Sequence, residues 1–317
     1  MVMFIGVDIG GSNMAAGLFD ENKNLITTAK VKSKAKETTE VVVGQLFKVI
    51  DKLIAEIPTG KKLVGIGIGV AGLIDKKTSI VRRSVNINIS GVNLKQIIQD
   101  KYAVKSEIDN DVNVGILGEA KYGAGIGCDD IIGAFVGTGI GGGLVLNGKL
   151  YTGNSGLAAE LGHTIIKQGG AYCPGCGSQG CLEAYAGKVG IEKKIENLAK
   201  KNIHSTLIDL VMENGGKLKS SHIKKALDDQ DEIAMDILSE AMEYLGTGLG
   251  SALNMINPSM VILGGGVMEA IGERYLAQIK RAVMKNSFAD IYAECEFKLA
   301  KLGDQAGIYG AMELVAG

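Results

Sequence analysis

One short segment of the 317-residue chain concentrates side chains that bind soft metal ions. Cys173, Cys176 and Cys181 fall within nine residues, and His163 precedes the first of them by ten. Three cysteines and one histidine form a tetrahedral donor set for Zn²⁺, and four protein ligands leave no position for an activated water. The spacing predicts a closed, structural zinc site. The alternative is a cluster of reduced thiols without a metal.

A second group of chemically useful side chains occupies residues 109–113, with the sequence DNDVN. It follows a predicted short strand at 105–108 and precedes a predicted helix. Aspartate and asparagine are common N-caps, because their side-chain oxygens accept backbone N–H groups at a helix start. Four such groups exceed what one cap needs. An aspartate at the carboxyl end of a strand can also accept a proton from a substrate hydroxyl.

Two glycine-rich segments each follow an apolar run. The first, residues 8–13 (DIGGSN), is either a plain hairpin or a phosphate-binding turn whose Asp8 holds a hydrated Mg²⁺. The second runs from Gly137 to Gly143 and has five glycines in seven residues. Ordering so many glycines costs more backbone conformational entropy than a simple connection would justify. Neither matches GxxxxGK[ST]. Together they predict a phosphate clamp.

Strands and helices alternate along the first part of the chain. Apolar runs predict an antiparallel meander, a helix whose apolar residues recur every three to four positions before Pro58, a buried strand, a second helix and a short strand. The predicted helix core is Val42, Leu46, Val49, Leu53 and Ile57. The predicted segments are 4–7, 15–19, 25–30, 37–57, 63–70, a helix from 94, and 105–108.

The same order of strand, glycine turn and strand begins again at 131–136, offset by 131 residues from the first copy. This internal repeat predicts two related lobes. The later sequence is mostly helical, with helices predicted at 189–199, 205–212, 222–228 and 232–249. A strand at 260–263 and a last helix after Ala306 follow.

Composition excludes several classes of partner. Lysine plus arginine is 34 and aspartate plus glutamate is 35, so the net charge is −1. That balance argues against nucleic acid and against an anionic membrane surface. The N-terminal residues lack a basic segment and a cleavage site of the signal-peptide type, so we expect a cytoplasmic protein.

In their order, these motifs resemble those of the ROK family of sugar kinases and repressors, within the actin–hexokinase–Hsp70-like ATPase superfamily. The resemblance covers the chain from Asp8 to Ala311. The quoted stretches are DIGGSN at 8–13, DNDVN at 109–113, GTGIGGG at 137–143, ELGH at 160–163, CGSQGCLE at 176–183, the strand region 257–266 and LGDQAGIYGA at 302–311.

The resemblance implies an α/β fold with two ribonuclease-H-like, actin-like ATPase lobes around a central cleft. Residues 1–114 would form the N-terminal lobe, with a C-terminal helix at 305–317 packing back on it. Residues 115–304 would form the C-terminal lobe, which carries the zinc loop and a helical insertion.

The resemblance also assigns roles to particular residues. Asp111 would be the general base. The sugar would be bound by Gly72, Asn86, Asn110, Asp111, Glu160, His163 and Glu183. ATP and Mg²⁺ would be bound by Asp8, Gly10, Gly11, Ser12, Asn13, Gly137, Thr138, Gly139, Gly141, Gly264 and Gly265. Zn²⁺ would be held by His163, Cys173, Cys176 and Cys181.

Three positions depart from the family pattern. The family's CxC is one residue longer here, as Cys173-Pro174-Gly175-Cys176. Ile89 stands where a tryptophan is usual, and Asn13 replaces a common lysine. We expect zinc to bind with altered loop geometry.

The resemblance implies ATP-dependent phosphorylation of a hexose or amino sugar at its primary hydroxyl, most simply by a glucokinase. N-acetylmannosamine, fructose and allose kinases are alternatives. A sugar-sensing repressor is an alternative of a different class, disfavoured because only seven residues precede Asp8. The resemblance also suggests a homodimer.

Overall fold

The structure is a computed structural model that describes residues 2–317 and has a mixed α/β fold. Its strands are β1 (Val2–Ile9), β2 (Asn13–Phe19), β3 (Leu25–Lys32), β4 (Lys62–Val70), β5 (Leu73–Asp75), β6 (Ile80–Arg83), β7 (Lys105–Asn110), β8 (Ile131–Val136), β9 (Ile140–Leu146), β10 (Lys149–Tyr151), β11 (Met260–Gly264) and β12 (Glu296–Leu299).

The helices lie mainly in the second half of the chain. They are α1 (Thr39–Ile54), α2 (Leu94–Tyr102), α3 (Asp111–Tyr122), α4 (Glu183–Ala186), α5 (Lys188–Ala199), α6 (Thr206–Glu213), α7 (Ser220–Asp228), α8 (Glu232–Ile256), α9 (Gly265–Asn286), α10 (Ala289–Glu294) and α11 (Ala306–Ala316).

The first five-stranded sheet has the order β3-β2-β1-β4-β7. Strands β1, β2 and β3 pair antiparallel, which confirms the predicted meander, and β1, β4 and β7 run parallel. The parallel strands β4 and β7 therefore end at the same edge, with Val70 opposite Asn110. The carboxyl end of β7 and the start of α3, which follows it directly, carry polar side chains of the candidate site.

Alternation along β4 decides which face of this sheet each helix covers. Ile66, Ile68 and Val70 point into a core that contains the buried residues of α1, including the predicted Val42, Leu46, Val49 and Leu53. Helix α1 ends at Ile54, before the predicted Ile57, which still packs against this core.

Glycines on the opposite face allow α11 to contact the sheet backbone directly. Gly6 on β1 lies opposite Gly67 on β4. A Cβ on Gly6 would lie 1.9 Å from the carbonyl oxygen of Ile308, and one on Gly67 would lie 1.7 Å from that of Ala311. No side chain fits between this face and the helix.

The second five-stranded sheet has the order β10-β9-β8-β11-β12. Strand β11 is parallel to both β8 and β12, and β10 is antiparallel to β9. The predicted strands at 131–136 and 260–263 are confirmed, as are the helices predicted around α5, α6, α7 and α8. Helix α9 was not predicted from the sequence, because its first turn begins inside the glycine cluster that ends β11.

The predicted glycine turn at 137–143 is corrected to a shorter one. Only residues 137–139 lie outside strands, and β9 begins at Ile140. Two of the remaining glycines are packing positions: a Cβ on Gly142 would lie 2.2 Å from the carbonyl oxygen of Ala159, and one on Gly143 would lie 2.7 Å from Cδ1 of Ile116. Their small size serves close packing within a strand.

Contacts divide the chain into two compact units. The first runs as far as Asp129 and includes Gly143–Ala158 and Lys301–Gly317, and the second comprises Asp130–Gly142 and Ala159–Ala300. The predicted lobe boundary at 114 falls inside α3, which belongs wholly to the first unit. Within residues 2–317, no helix combines the length and the hydropathy needed to cross a bilayer.

The glycine face predicts a sharp contrast between two alanine substitutions. Gly67→Ala places a methyl group against the α11 backbone and is expected to lower the free energy of unfolding by about 3 kcal/mol. Gly44→Ala is the control: Gly44 is exposed on α1 with open space around its missing Cβ, so the substitution should stabilise by roughly 0.5–1 kcal/mol. Urea unfolding measures both. An unchanged midpoint for Gly67→Ala would contradict the packing.

Candidate functional site

The start of α3 places the DNDVN residues at the carboxyl end of β7. Asn110 is the N-cap, and its Oδ1 accepts the backbone N–H groups of Val112 at 2.9 Å and Asn113 at 3.2 Å. Its Nδ2 donates to the carbonyl oxygen of Gly72 at 3.1 Å and to Oδ1 of Asp111 at 2.9 Å. The capping interpretation is thus correct for Asn110, and the same side chain orients the carboxylate of Asp111.

Asp109 holds the DNDVN segment in place through hydrogen bonds and an ion pair. It is 1% exposed, and its Oδ1 accepts from the backbone N–H of Asn110 at 2.7 Å and from Nδ2 of Asn113 at 2.9 Å. Its Oδ2 forms an ion pair with Lys76, from the turn between β5 and β6. Sequence analysis did not assign a role to Lys76, because nothing in the sequence distinguishes it from a solvated turn lysine.

The carboxylates of Asp111 and Asp304 lie within electrostatic range of Asp8 in the first unit. Removal from water raises the pKa of Asp111 above its ordinary value. Removal from water also raises the pKa of Asp8, to about 7, and the negative charges of Asp111 and Asp304 contribute further. A divalent cation would offset this repulsion, and carboxylate oxygens are the donors that Mg²⁺ prefers. The residues present fit that ion.

The turn between β1 and β2 is held by a serine that sequence analysis missed. Buried Ser33 donates its hydroxyl to the carbonyl oxygen of Gly10 at 2.6 Å, and its N–H donates to that of Ser12 at 3.1 Å. Gly10 donates its N–H to the carbonyl oxygen of Asn13 at 3.1 Å. The predicted hairpin is present.

The structure places Asn86 beside this turn. A Cβ on Gly11 would lie 3.7 Å from Cβ of Asn86, which is exposed. Ile89, the residue that departs from the family pattern, is 1% exposed and belongs to the core of the first unit. Its side chain therefore stabilises the loop from inside.

The predicted metal ligands form one cluster in the second unit. One donor atom from each of His163, Cys173, Cys176 and Cys181 lies within 4.8 Å of all the others. Nδ1 of His163 lies 3.6 Å from Sγ of Cys173, and the sulfurs of Cys176 and Cys181 are 3.5 Å apart. Four such donors fit a tetrahedral Zn²⁺.

The longer spacing between the first two cysteines is accommodated by a closed loop. The N–H of Cys173 donates to the carbonyl oxygen of Ser178, and the N–H of Gly177 donates back to that of Cys173, both at 2.8 Å. Hydrogen bonding from the Ser178 backbone lowers the pKa of the exposed Cys176 thiol to about 7, whereas burial raises the pKa of Cys181 to about 12. The added residue therefore leaves all three sulfurs in the cluster.

Glu183 connects the metal loop to the glycine turn. Its Oε2 accepts the backbone N–H of Ile140 at 3.0 Å, and its Oε1 lies 3.6 Å from the sulfur of Cys173. A Cβ on Gly139 would lie 1.9 Å from that same Oε2. A side chain at position 139 would therefore displace the carboxylate of Glu183, whatever binds at the turn. The carboxylate of Glu160 lies within electrostatic range of both His163 and Glu183.

The glycine turn is hydrogen-bonded to α5 through two of its carbonyl oxygens. The N–H groups of Lys188 and Val189 donate to the carbonyl oxygens of Gly137 at 3.0 Å and Thr138 at 3.2 Å. Across residues 2–317, no acceptor is found for the N–H groups of Thr138 and Gly139 themselves. None of the glycines at 137–143 has a positive φ, so close approach explains them better than backbone strain does.

The other predicted nucleotide glycines begin α9. Gly264 ends β11, and Gly265 has a φ of +84°, which favours glycine. A Cβ on Gly265 would lie 2.7 Å from the carbonyl oxygen of Val136, the last residue of β8. Gly141 lies within β9, beyond the turn.

The predicted sugar ligands therefore fall into two groups. Gly72, Asn86, Asn110 and Asp111 belong to the first unit, and Glu160, His163 and Glu183 belong to the second. The predicted nucleotide ligands divide similarly, with residues 8–13 in the first unit and the glycines of residues 137–141 and 264–265 in the second.

Comparison with known proteins supports the expected family. The family model described as ROK matches residues 4–317. The glucokinase of Thermotoga maritima is 33% identical over 98% of this chain and 96% of its own length. The xylose repressor of Caldicellulosiruptor bescii is 31% identical over 98% of this chain and 77% of its own.

A solved structure confirms the fold class. The ROK family glucokinase of Streptomyces griseus, in complex with glucose and AMPPNP, superposes with a TM-score of 0.80 at 33% identity, over 99% of each chain. The predicted α/β fold of the actin-like ATPase type, with two lobes, is therefore correct.

The raised pKa of Asp8 predicts a pH-dependent stability difference. In the folded protein this pKa is about 7 against an ordinary 3.8, so the folded state binds the extra proton between those values. Stability due to this group is complete below about pH 4 and is lost as the pH rises to 7. Asp8→Asn removes this pH-dependent loss of stability. In a chelating buffer, the free energy of unfolding of the variant should therefore rise progressively relative to that of the wild type between pH 5 and 8.

Urea unfolding at each pH measures this difference. Asp228→Asn, on the exposed end of α7, is the control and should show no such trend. A pH-independent difference between Asp8→Asn and the wild type would contradict the electrostatic account.

Proposed function

The chain belongs to the ROK family, and we propose that it is an ATP-dependent sugar kinase that phosphorylates glucose at its primary hydroxyl. The observation that carries the proposal is the carboxylate of Asp111, held at the end of β7 and oriented by Asn110. The N-acetylmannosamine, fructose and allose kinases remain alternative specificities. The expected homodimer and the expected cytoplasmic location stay predictions.

Asp111 supplies the proton acceptor of the reaction. The sugar oxygen forms a bond to the γ-phosphorus as the bond to ADP breaks, and the hydroxyl proton passes to a carboxylate oxygen of Asp111. A pKa raised by burial makes this carboxylate a stronger base than an exposed aspartate. The hydrogen bonds of Asn110 to Gly72 and Asp111 keep the acceptor oxygen in a fixed position.

The glycine segments would bind the phosphates. The N–H groups of Thr138 and Gly139 have no protein acceptor within the described residues, so they can donate to phosphate oxygens. Asp8 would hold Mg²⁺, near Asp111 and Asp304. When bound, Mg²⁺ neutralises charge on the phosphates.

The metal cluster would hold Zn²⁺ in a structural role. Nδ1 of His163 faces Cys173, so with the metal on Nδ1 the protonated Nε2 would donate to a sugar hydroxyl oxygen. Glu183 and Glu160 lie around the same histidine. Zinc would thus fix the position of one group of sugar ligands.

Activity against a panel of sugars tests the proposal. ADP release is measured with ATP and, separately, glucose, N-acetylmannosamine, N-acetylglucosamine, mannose, fructose and allose. We expect the highest kcat/KM with glucose. A well-folded protein that releases ADP with none of these sugars would overturn the kinase assignment and favour a sugar-sensing role.

Substitution of the base should separate chemistry from binding. Asp111→Asn retains a side chain of the same shape but cannot accept the proton, so kcat should fall at least ~10²-fold while calorimetry shows glucose affinity largely unchanged. The control is again Asp228→Asn. In the wild type, kcat should rise with pH through the raised pKa of Asp111, since only the ionised form is active. Near-normal turnover by folded Asp111→Asn would remove Asp111 from this role.

Metal analysis tests the zinc assignment. The purified protein should hold about one zinc per chain, and Cys181→Ser should lose most of it. Cys295→Ser, outside the cluster, is the matched control. Sub-stoichiometric zinc in the wild type, with activity unchanged by a chelator, would contradict both the site and its role.

A further inference from the structure

Lys188 lies where the glycine turn meets the first turn of α5. Its backbone N–H donates to the carbonyl oxygen of Gly137, and the next N–H donates to that of Thr138. Because these two carbonyls face α5, the free N–H groups of Thr138 and Gly139 belong to a turn whose orientation Lys188 helps to fix. The residue is half-buried and is the first of a twelve-residue helix.

The side chain of Lys188 extends to the start of α9. Its Nζ lies 3.5 Å from Oγ of Ser220, and that hydroxyl donates to the carbonyl oxygen of Gly266 at 2.7 Å. A Cβ on Gly266 would lie 3.6 Å from Nζ. The ammonium group therefore lies beside the first turn of α9, a helix that is broken by a kink at Gly272 and whose N-cap, Gly264, has no side chain to accept its N–H groups.

This position is electrostatically unfavourable in the protein alone. The uncapped backbone N–H groups of this first turn carry partial positive charge, which repels a cation. A half-buried ammonium normally pairs with a carboxylate, yet none of the ion pairs formed by residues 2–317 includes Lys188. Two sources of positive potential and two free backbone donors thus occur together without a protein anion.

We propose that Lys188 is a nucleotide-binding residue that donates to a phosphate group of a nucleoside di- or triphosphate. The inference rests on the proposed kinase function and adds a side-chain contact to the backbone donors of the turn. An ammonium group is a compact point charge that suits a phosphate oxygen. The phosphate would replace the missing carboxylate and relieve the repulsion from α9.

Calorimetry with a series of adenine nucleotides tests the role of Lys188. ADP, AMP and adenosine are titrated separately into the full-length wild type, Lys188→Met and Lys188→Arg. Loss of a charge-assisted hydrogen bond should weaken ADP binding about tenfold or more. Adenosine, which has no phosphate, should bind the Met variant as it binds the wild type. Arginine should restore ADP affinity to within a few-fold.

The controls separate a phosphate contact from a structural role. Lys193→Met removes an exposed lysine of the same helix that pairs with Glu196, and should leave ADP binding unchanged. Glucose binding by Lys188→Met should also be unchanged. If this variant does not fold, Lys188→Gln takes its place in the same titrations. ADP affinity within twofold of the wild type, or equal weakening of adenosine and ADP, would overturn the proposal.

Failure of the proposed function gives a different result. A wild type that binds no ADP and phosphorylates no sugar would refute the kinase assignment and Lys188 with it. A wild type that phosphorylates sugar while Lys188→Met retains full ADP affinity would refute only the role of Lys188.

Discussion

The contact between α11 and the glycine face of β1 and β4 is the constraint on which the first unit depends. Asp8 lies two residues after Gly6 on β1 and therefore faces the same helix, where a Cβ on Gly307 would lie only 2.7 Å from the carboxyl carbon of Asp8. The same helix approaches α3 closely, since a Cβ on Gly310 would lie 1.6 Å from the carbonyl oxygen of Val114. One helix thus sets the distance between the strand of Asp8 and the helix of Asp111.

In both units, side chains that hold the backbone also carry the proposed chemistry. Asn110 caps α3 and orients Asp111, and Glu183 accepts the N–H of Ile140 beside the metal loop. Substitutions at these positions therefore change geometry and binding together. Gly139 shows the consequence, because a side chain there displaces Glu183 before it meets any nucleotide. A Cβ on Gly137 would face open space, so a substitution there tests the turn without displacing Glu183.

Sequence patterns were most informative where one segment contains the whole signal. The cysteine spacing identified a cluster that the structure brings together, and the apolar run at 131–136 identified β8 to the residue. Patterns failed where a partner is distant along the chain. Lys76, Ser33 and Lys188 are ordinary residue types, and only the tertiary structure brings them to Asp109, Gly10 and Gly266. Glycine-rich patterns were also ambiguous, because a residue without a side chain suits both turns and close packing contacts.

The distance along the chain between β1 and α11 affects how the protein is made. A ribosome releases the strands of the first sheet early, but the helix that covers their glycine face follows about 300 residues after Gly6. The whole of the second unit is synthesised in that interval. Contacts of such high sequence separation form slowly and leave apolar surface exposed while the nascent chain waits. The first unit therefore completes its folding after translation of the second.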